Sequence, residues 1–228
     1  MPPTLILVRH AEALHNVDRD YTIPDPELSE LGRRQCRDLK KNLMSKIPKE
    51  LDVELIIVSP MKRTIETALL AFRGLIEKGV PIQAHAAWQE NSAAACDTGS
   101  PILKLEAEFP QVDFSHVDPV FPDKKSPAGA RYKYSRQAII ARGQFSLHDL
   151  YDRPEKAIIV VSHSGFLRVG VTGYWFFNAD YRIFEFEERQ EGMTLPYKLR
   201  QWESTVKGGL GLSWEDPVPL GDGLPDDP

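Results

Sequence analysis

The sequence predicts an α/β domain in which helices cover both faces of a central sheet. Three continuous apolar runs rich in β-branched residues have the composition of strands buried on both sides: Thr4–Val8, Val53–Ser59 and Lys156–Ser162. Segments with the apolar spacing of helices lie between these runs. With 228 residues, the chain is also long enough to bury a sizeable core.

Two further strands are predicted more weakly. Pro81–Trp88 is a short, largely apolar run, and "YRIFEFEE", Tyr181–Glu188, alternates as a strand near a sheet edge does. Together with the three stronger runs, they complete the set of strands that the sequence predicts.

The first long helix is predicted over "LSELGRRQCRDLKKNLMSKI", Leu28–Ile47. Its apolar residues Leu39, Leu43 and Ile47 are four apart and therefore lie on one face of the helix. Ser29 has the side chain of a good N-cap, so the helix is expected to begin just after it.

The second helix is predicted over "SPMKRTIETALLAFRGLIEKG", Ser59–Gly79. Ser59 is expected to cap this helix, Pro60 to occupy its first position and Gly79 to end it. Its apolar stripe consists of Ile65, Ala68, Leu69, Phe72 and Ile76. A third, less regular helix is predicted over Arg131–Tyr151.

The remaining segments suggest how the chain is organised. Residues 91–136 are rich in Ser, Ala, Pro, Asp and Gly, and we expect them to form an excursion over the top of the sheet, as a lid or binding segment. Residues 1–202 are expected to be a single domain. Residues 203–228 read as an acidic, Pro/Gly-rich tail that contributes little burial.

The net charge of −5 is concentrated in that tail, which holds six of the 33 acidic residues and one of the 28 basic residues. The rest of the chain is balanced, which argues against nucleic acid as a partner. No apolar stretch approaches the roughly 20 residues of a membrane span. There is no signal-peptide pattern, and Cys36 and Cys96 form no disulfide framework or zinc spacing, so we expect a cytoplasmic protein.

Charged side chains follow each of the three strongest strands. The first strand ends in Arg9 and His10, the second leads into a helix carrying Arg63, and the third ends at His163. In open α/β sheets, ligands bind at the carboxyl ends of strands, where helix N-termini also point. We therefore expect an anion pocket, and phosphate suits arginines and backbone N–H groups together.

The motifs "LVRHAEALHN", "SPMKRTIETA" and "VVSHSGFLR", in this order, resemble those of the histidine phosphatase superfamily, in its phosphoglycerate mutase-like branch. The resemblance extends from Leu5 to about Phe186. It implies a three-layer α/β/α sandwich with a mainly parallel, mixed sheet, and a catalytic domain within residues 1–202.

The resemblance also implies roles for individual residues. His10 is the nucleophile that becomes phosphorylated, and Glu12 supports the site or contacts the substrate. The groups that bind the phosphoryl group are Arg9, Asn16, Arg63, His163 and Ser164. Attack on phosphorus requires a neutral imidazole, which adjacent arginines favour by lowering its pKa. Because arginines neutralise the transition state, no metal ion or other cofactor is expected.

The leaving group requires a proton, and "WQENSAAACDTGS", Trp88–Ser100, offers two carboxylic acids. The resemblance favours Glu90, because related sequences carry a similar Glu followed by a Cys-Asp pair. On chemistry alone, Asp97 would serve equally well if its pKa were raised by phosphate and burial. Both residues remain candidates at this point.

Two departures from the family pattern keep other functions open. Ala11 replaces the glycine after the nucleophile, and a methyl group that crowds the phosphate would suit a weakly active protein that binds a phosphorylated ligand. The stretch around Glu90 lacks the arginine-rich character of phosphoglycerate mutases, which weakens the phosphomutase alternative. We therefore expect a phosphatase for a small phosphorylated metabolite.

The sequence leaves specificity and assembly open. The excursion carries a basic cluster made up of Lys124, Lys125, Arg131, Lys133 and Arg136. A solvated face explains such a cluster more readily than a site for a second anionic group of the substrate. The sequence indicates neither the physiological substrate nor the oligomeric state.

Overall fold

The structure is a computed structural model that describes residues 1–46 and 51–226. A six-stranded sheet crosses its centre in the order β3-β2-β4-β1-β5-β6. The strands are β1 Thr4–Arg9, β2 Val53–Val58, β3 Ile82–Ala84, β4 Ala157–Ser162, β5 Tyr181–Phe186 and β6 Leu199–Gln201. Strands β1 to β4 are parallel, whereas β5 is antiparallel to both of its neighbours. The predicted mixed, mainly parallel sheet is confirmed.

The helices connect the strands on both faces of the sheet. They are α1 Leu14–Val17, α2 Glu30–Lys46, α3 Lys62–Ala71, α4 Arg73–Ile76, α5 Ile102–Glu108, α6 Arg136–Tyr151 and α7 Ser164–Phe166. Helix α7 continues into a π-helical segment, Leu167–Thr172, and short 3₁₀ turns cover Ala86–Trp88, Ala95–Asp97, Ala130–Tyr132 and Glu203–Thr205. None of the helices in the described ranges has the length and apolar character needed to cross a membrane.

Two apolar clusters, one on each face of the sheet, make up the core. On β1, Ile6 and Val8 belong to the cluster that includes α2 and α3, whereas Leu5 and Leu7 belong to the cluster that includes α6 and α7. Because successive side chains of a strand point to opposite faces, a strand covered on both sides must be apolar throughout. This arrangement confirms the three-layer α/β/α architecture.

Helix α2 follows its sequence pattern. The Ser29 hydroxyl accepts a hydrogen bond from the Gly32 N–H at 3.0 Å, so Ser29 is the predicted cap. Leu39 and Leu43 are buried as the spacing requires. Ile47, the third residue of the predicted stripe, lies outside the described residues.

Helix α3 begins later than the sequence predicted. Ser59 and Pro60 precede it, and Met61, which has an extended backbone, is its N-cap residue. The Ser59 N–H instead continues the sheet by donating to the Val161 carbonyl at 3.0 Å. The prediction that Ser59 caps the helix and Pro60 starts it is therefore wrong, because β2 extends its pairing to Ser59.

The excursion, residues 91–136, packs on the domain through apolar side chains of its own. It contains α5, and its side chains Leu105, Phe109, Val112, Phe114, Val117 and Phe121 are buried in the same cluster as α2 and α3. The following helix α6 begins at Arg136, where the Ser135 hydroxyl accepts from the Ala138 N–H. The predicted helix start at Arg131 is wrong, because residues 130–132 form a separate 3₁₀ turn.

The C-terminal segment, residues 203–226, packs on the domain, so the expectation that it contributes little burial is wrong. The Asp180 carboxylate accepts from the N–H groups of Leu210 and Leu212 and from the Ser213 hydroxyl. The Arg182 guanidinium donates to the carbonyl oxygens of Val206 and Trp214. Leu224 is buried in the cluster of α6 and α7. These partners are supplied by distant residues, and the composition of the segment cannot reveal them.

Candidate active site

The C-terminal edge of the sheet brings the ends of β1, β2 and β4 together. In the parallel register of β1 and β4, Arg9 lies opposite Ser162, so His10 and His163 follow at the same level. Their ring centroids are 5.2 Å apart. Arg63, the second residue of α3, joins them. We call the group of Arg9, His10, Arg63 and His163 the phosphoryl pocket after the role that the sequence predicts for it, and the structure brings these four residues of the three motifs together.

Hydrogen bonding defines the tautomer of His10. Its Nδ1 lies 2.7 Å from the Ala11 carbonyl oxygen, which only accepts, so Nδ1 carries the proton. Nε2 is left with a lone pair, toward which the Arg63 Nε–H points at 3.3 Å. Burial, followed by the charges of Arg63 and Arg9, holds the pKa of His10 well below its usual value. His10 therefore presents a neutral, nucleophilic nitrogen.

The Arg63 guanidinium, which can only donate, defines the tautomer of His163. Its Nδ1 accepts from Arg63 Nη2 at 3.0 Å, so the proton lies on Nε2, which donates to the Ser59 hydroxyl at 2.9 Å. Burial first, and then Arg63, hold the pKa of His163 well below its usual value. Ser59 thus orients His163, a role that the sequence analysis missed when it assigned Ser59 to a helix cap.

The Arg63 guanidinium links the histidines to the segment that carries the two candidate acids. Besides its contacts with both rings, its Nη1 donates to the Cys96 carbonyl oxygen at 2.6 Å. Nη2 also lies 3.2 Å from Asp97 Oδ1. The other Asp97 oxygen accepts from the Ser92 hydroxyl at 2.7 Å. Asp97 is therefore engaged in an ion pair with a group that the sequence assigned to phosphate binding.

Arg9 occupies the other side of the phosphoryl pocket. Its Nη1 donates to the Phe176 carbonyl oxygen at 2.9 Å, and its guanidinium carbon lies 6.0 Å from the centroid of the Trp175 ring. Its Nε has no hydrogen-bond partner in the described part of the chain. Burial lowers the pKa of Arg9 to about 10, which leaves the group charged at neutral pH.

The Glu90 carboxylate sits at the N-terminus of α7. Oε1 accepts from the N–H groups of Asn91 and Phe166, and Oε2 accepts from the Gly165 N–H at 3.0 Å. A Cβ atom at Gly165 would lie 2.6 Å from Glu90 Oε1, so the close approach requires glycine. Burial, followed by the charge of Asp97, raises the pKa of Glu90, and the N–H groups oppose this shift. A raised pKa favours a proton donor.

The predicted phosphate ligand Asn16 supports a neighbour of the nucleophile. Its side-chain oxygen accepts from the Ala13 N–H at the start of α1, and its Nδ2 lies 3.0 Å from His15 Nε2. The buried His15 ring lies 6.0 Å from that of His10, and burial, followed by the charge of Arg63, lowers the pKa of His15 to about 4. His15 was not predicted as a site residue, although it lies within the first motif.

The remaining predicted residues have different surroundings. Glu12 accepts from the Ser29 hydroxyl at 2.6 Å, and its backbone oxygen accepts from the Ser29 N–H, so it fastens the N-terminus of α2. Ser164 follows His163 directly as the first residue of α7 and is partly exposed. Ala11, the departure from the family glycine, is fully buried in the cluster of α2 and α3.

The predicted basic cluster is not one surface. Lys124 is buried, and its ammonium donates to the carbonyl oxygens of Glu90, Ser92 and Asp97. Burial lowers the pKa of Lys124 to about 7. Of the other members, Lys125 is exposed, Arg136 pairs with Asp226, and Arg131 and Lys133 line a cavity of about 450 Å³. Lys124 is therefore neither part of a solvated face nor free to bind a second anionic group, and both interpretations are wrong for it, because its ammonium is bound by backbone carbonyls.

Arg142 of α6 is a further buried cation beside Glu90. Its Nη1 donates to the Gln89 carbonyl oxygen at 2.8 Å and its Nη2 to the Asn91 side-chain oxygen at 2.7 Å. The residues on both sides of Glu90 are thereby fixed to α6. Elsewhere in the described ranges, no group of three or more His, Cys, Asp or Glu side chains is arranged to hold a metal ion.

Comparisons with known proteins identify relatives of this chain and structures that share its fold. A protein named probable phosphatase from Schizosaccharomyces pombe is 36% identical over 171 residues, which are 73% of this chain and 76% of that protein. Phosphoglycerate mutase-like protein 1 of Arabidopsis thaliana is 33% identical over 201 residues, which cover 72% of this chain and 69% of that protein. The solved structure of the ecdysone phosphate phosphatase from Bombix mori shares the fold, with a TM-score of 0.54 at 15% identity over 87% of this chain and 92% of that one.

The sequence model of the histidine phosphatase superfamily (branch 1) matches residues 5–186. This range includes every residue of the phosphoryl pocket and the segment that carries Glu90 and Asp97. It therefore covers the ends of β1, β2 and β4, on which the site is built. The chain belongs to the histidine phosphatase superfamily.

Proposed function

We propose that the protein is a metal-independent phosphatase that hydrolyses monoesters of small phosphorylated metabolites through a phosphohistidine on His10. The observation that carries the proposal is the tautomer of His10, whose Nδ1–H bond to the Ala11 carbonyl oxygen leaves a lone pair on Nε2. That lone pair faces a guanidinium, beside which an incoming phosphate would be held. The phosphatase names of relatives support the same reaction.

The proposed reaction has two displacements. His10 Nε2 attacks phosphorus, the bond from phosphorus to the ester oxygen breaks, and the departing oxygen takes the proton of Glu90. Water then attacks the phosphohistidine and gives a proton back to Glu90, which releases inorganic phosphate and neutral His10. Arg9 and Arg63 are the cations placed to stabilise charge on the phosphoryl oxygens in both steps.

Glu90 is the better candidate for the proton donor. Both oxygens of Asp97 are engaged by other side chains, Oδ1 by the Arg63 guanidinium at 3.2 Å and Oδ2 by the Ser92 hydroxyl at 2.7 Å. Glu90 is bound through backbone N–H groups, and the net effect of its surroundings raises its pKa. The second carboxylate then serves to hold Arg63 against the histidines.

The alternative of binding without turnover gains no support from Ala11. Its methyl group is buried with the side chains of α2 and α3, and its backbone N–H donates to the Thr67 hydroxyl at 3.0 Å. Its carbonyl oxygen fixes the tautomer of the nucleophile. We therefore expect turnover with alanine at this position.

The proposal is tested by trapping the intermediate on p-nitrophenyl phosphate in the presence of EDTA. We expect acid-labile, base-stable phosphate on His10, turnover that EDTA leaves unchanged, and loss of both label and turnover in His10→Ala. His116→Ala, a matched change at an exposed histidine, should behave as wild type. Label on a serine or on His163, or a requirement for added metal, would overturn the proposal.

A further inference from the structure

Lys124 has a buried ammonium group whose hydrogen-bond partners are three backbone carbonyls. Its Nζ lies 2.7 Å from the oxygen of Glu90, 2.8 Å from that of Ser92 and 2.6 Å from that of Asp97. The side chain is 5% exposed. An ammonium has three N–H donors, so all of them are used on one segment, residues 90–97.

This segment carries both carboxylic acids of the site and has little regular structure of its own. Its first five residues form neither helix nor strand, and the 3₁₀ turn Ala95–Asp97 completes it. Lys124 approaches it from the far part of the excursion, more than twenty residues along the chain. Its ammonium therefore joins the start, the middle and the end of the segment at one point.

A lysine at this position is not explained by burial or by charge pairing. Removing an ammonium from water is costly, and an apolar side chain would fill the same space without that cost. Within the described residues, the hydrogen-bond partners of Lys124 are carbonyl oxygens alone, and the charges of Asp97 and Glu90 only partly oppose the lowering of its pKa by burial. What the ammonium provides is a fixed geometry for the three carbonyls that it binds.

The Glu90 and Asp97 carboxylates, which this segment carries, each contact another part of the site. Glu90 reaches the N–H groups of Gly165 and Phe166 at about 3 Å, and Asp97 reaches Arg63 at 3.2 Å. A change in the shape of the segment would move one carboxylate relative to α7 and the other relative to Arg63. Small displacements of this kind slow proton transfer, because the donor must lie within hydrogen-bond distance of the leaving oxygen.

We propose that Lys124 is a positioning residue for proton transfer, whose ammonium fixes residues 90–97 so that Glu90 meets the leaving oxygen. The inference rests on the proposed phosphatase function. It assigns to Lys124 an effect on the protonation step rather than on phosphate binding, since its contacts are to the acid-bearing segment.

The test compares two substrates that differ in their need for a proton. Glycerol 2-phosphate releases a basic alkoxide, whereas p-nitrophenyl phosphate releases a stable anion. Lys124→Met should lower kcat for glycerol 2-phosphate about 10- to 100-fold, in the same direction as Glu90→Gln, and should change kcat for p-nitrophenyl phosphate much less. Lys125→Met removes the same charge from the exposed neighbouring residue and should match wild type on both substrates.

Each outcome separates the two proposals. Equal losses on both substrates in Lys124→Met, while Glu90→Gln discriminates between them, would refute the role of Lys124 and leave the phosphatase intact. Absence of wild-type turnover would refute the phosphatase function. In that case, amide hydrogen exchange tests whether Lys124 orders the segment, because residues 90–97 should exchange faster in Lys124→Met than in Lys125→Met. If Lys124→Met does not fold, Lys124→Gln, which retains two N–H donors, replaces it in both measurements.

Discussion

Three buried histidines link the protonation of the site to the stability of the protein. His10, His15 and His163 each have a pKa below the usual value, and for His15 it falls to about 4. Burial is the largest cause in each case, and Arg63 adds to it. The folded state therefore keeps these imidazoles neutral under conditions in which the unfolded chain protonates them.

We expect stability to decline as the pH falls below about 6.5, the ordinary pKa of histidine. A group whose folded pKa is depressed contributes stability above its unfolded pKa and loses it as the pH falls toward the folded value. Each such histidine changes the free energy of unfolding by about 1.4 kcal/mol per pH unit in this window. Urea unfolding at pH 7.0 and 5.5 measures the slope.

The matched variants are His15→Gln and His116→Gln. The first removes a buried histidine that takes no part in the proposed reaction. It should lower the slope of the unfolding free energy against pH, between pH 6.5 and 5, by the contribution of about one proton. The second makes the same substitution at an exposed histidine and controls for the substitution itself. A His15→Gln slope equal to that of wild type would show that His15 is protonated in the folded protein.

Site residues were predictable from the sequence where they stand directly at strand ends. His10, Arg63 and His163 follow apolar runs that predict strands. Parallel pairing brings the carboxyl ends of these strands to the same edge of the sheet. Lys124 and Ser59 were misread because their roles depend on the atoms they meet. A lysine in a polar loop looks solvated until the carbonyls of a remote segment surround it, and a serine before a proline looks like a cap until the neighbouring strand extends its pairing.

At the level of elements, the sequence predicted the existence of strands and helices better than their ends. Apolar runs identify β1, β2 and β4 because a strand covered on both faces admits few polar side chains. Helix α3 was predicted to continue to Gly79, but it ends at Ala71 and α4 follows. The apolar stripe continues across the break at Phe72, so periodicity alone does not reveal it.

The start of α7 is the element that holds Glu90, and Gly165 makes this possible. We expect Gly165→Ala to displace the Glu90 carboxylate, because the new Cβ atom would lie 2.6 Å from Oε1. Turnover of glycerol 2-phosphate should fall about 10- to 100-fold, with a smaller loss on p-nitrophenyl phosphate. Steady-state kinetics on both substrates measure the difference.

Gly74→Ala is the matched control for this change. Gly74 lies in α4, and a Cβ atom there meets nothing within 4 Å. Since alanine favours helix over glycine, this variant should be at least as stable as wild type and equally active. Equal effects of Gly165→Ala on the two substrates would argue against Glu90 as the proton donor.

At the level of the whole molecule, the C-terminal segment closes one side of the domain. The Nη2 atom of Arg182 donates to the carbonyl oxygens of both Trp175 and Trp214, whose rings stack at a centroid distance of 4.4 Å. Trp175 precedes Phe176, whose carbonyl oxygen accepts from Arg9. The acidic segment is thereby connected to the phosphoryl pocket through a buried arginine of β5.

Removal of residues 213–228 should therefore destabilise the protein. The truncation removes the Ser213 hydroxyl from the fully buried Asp180 and the Trp214 carbonyl from the fully buried Arg182. It also exposes the pocket that Leu224 fills, a loss of about 1.5–3 kcal/mol for a buried leucine. Since 1 kcal/mol corresponds to roughly 2–4 °C in a domain of this size, we expect Tm to fall by about 5–10 °C.

Thermal unfolding of the truncated protein, compared with a variant that lacks only residues 226–228, measures this loss. The shorter deletion removes the exposed Asp226 partner of Arg136 and keeps Leu224 and the Pro225 carbonyl oxygen, which accepts from the Arg136 N–H. A surface ion pair contributes at most about 1 kcal/mol, so this control should stay within a few degrees of wild type. If both deletions shifted Tm equally, the contacts of Asp180 and Arg182 with residues 213 and 214 would not be what holds the segment. The larger shift is expected because Asp180 and Arg182 each lose one hydrogen-bond partner while they remain buried, and a buried charge that is incompletely satisfied is costly.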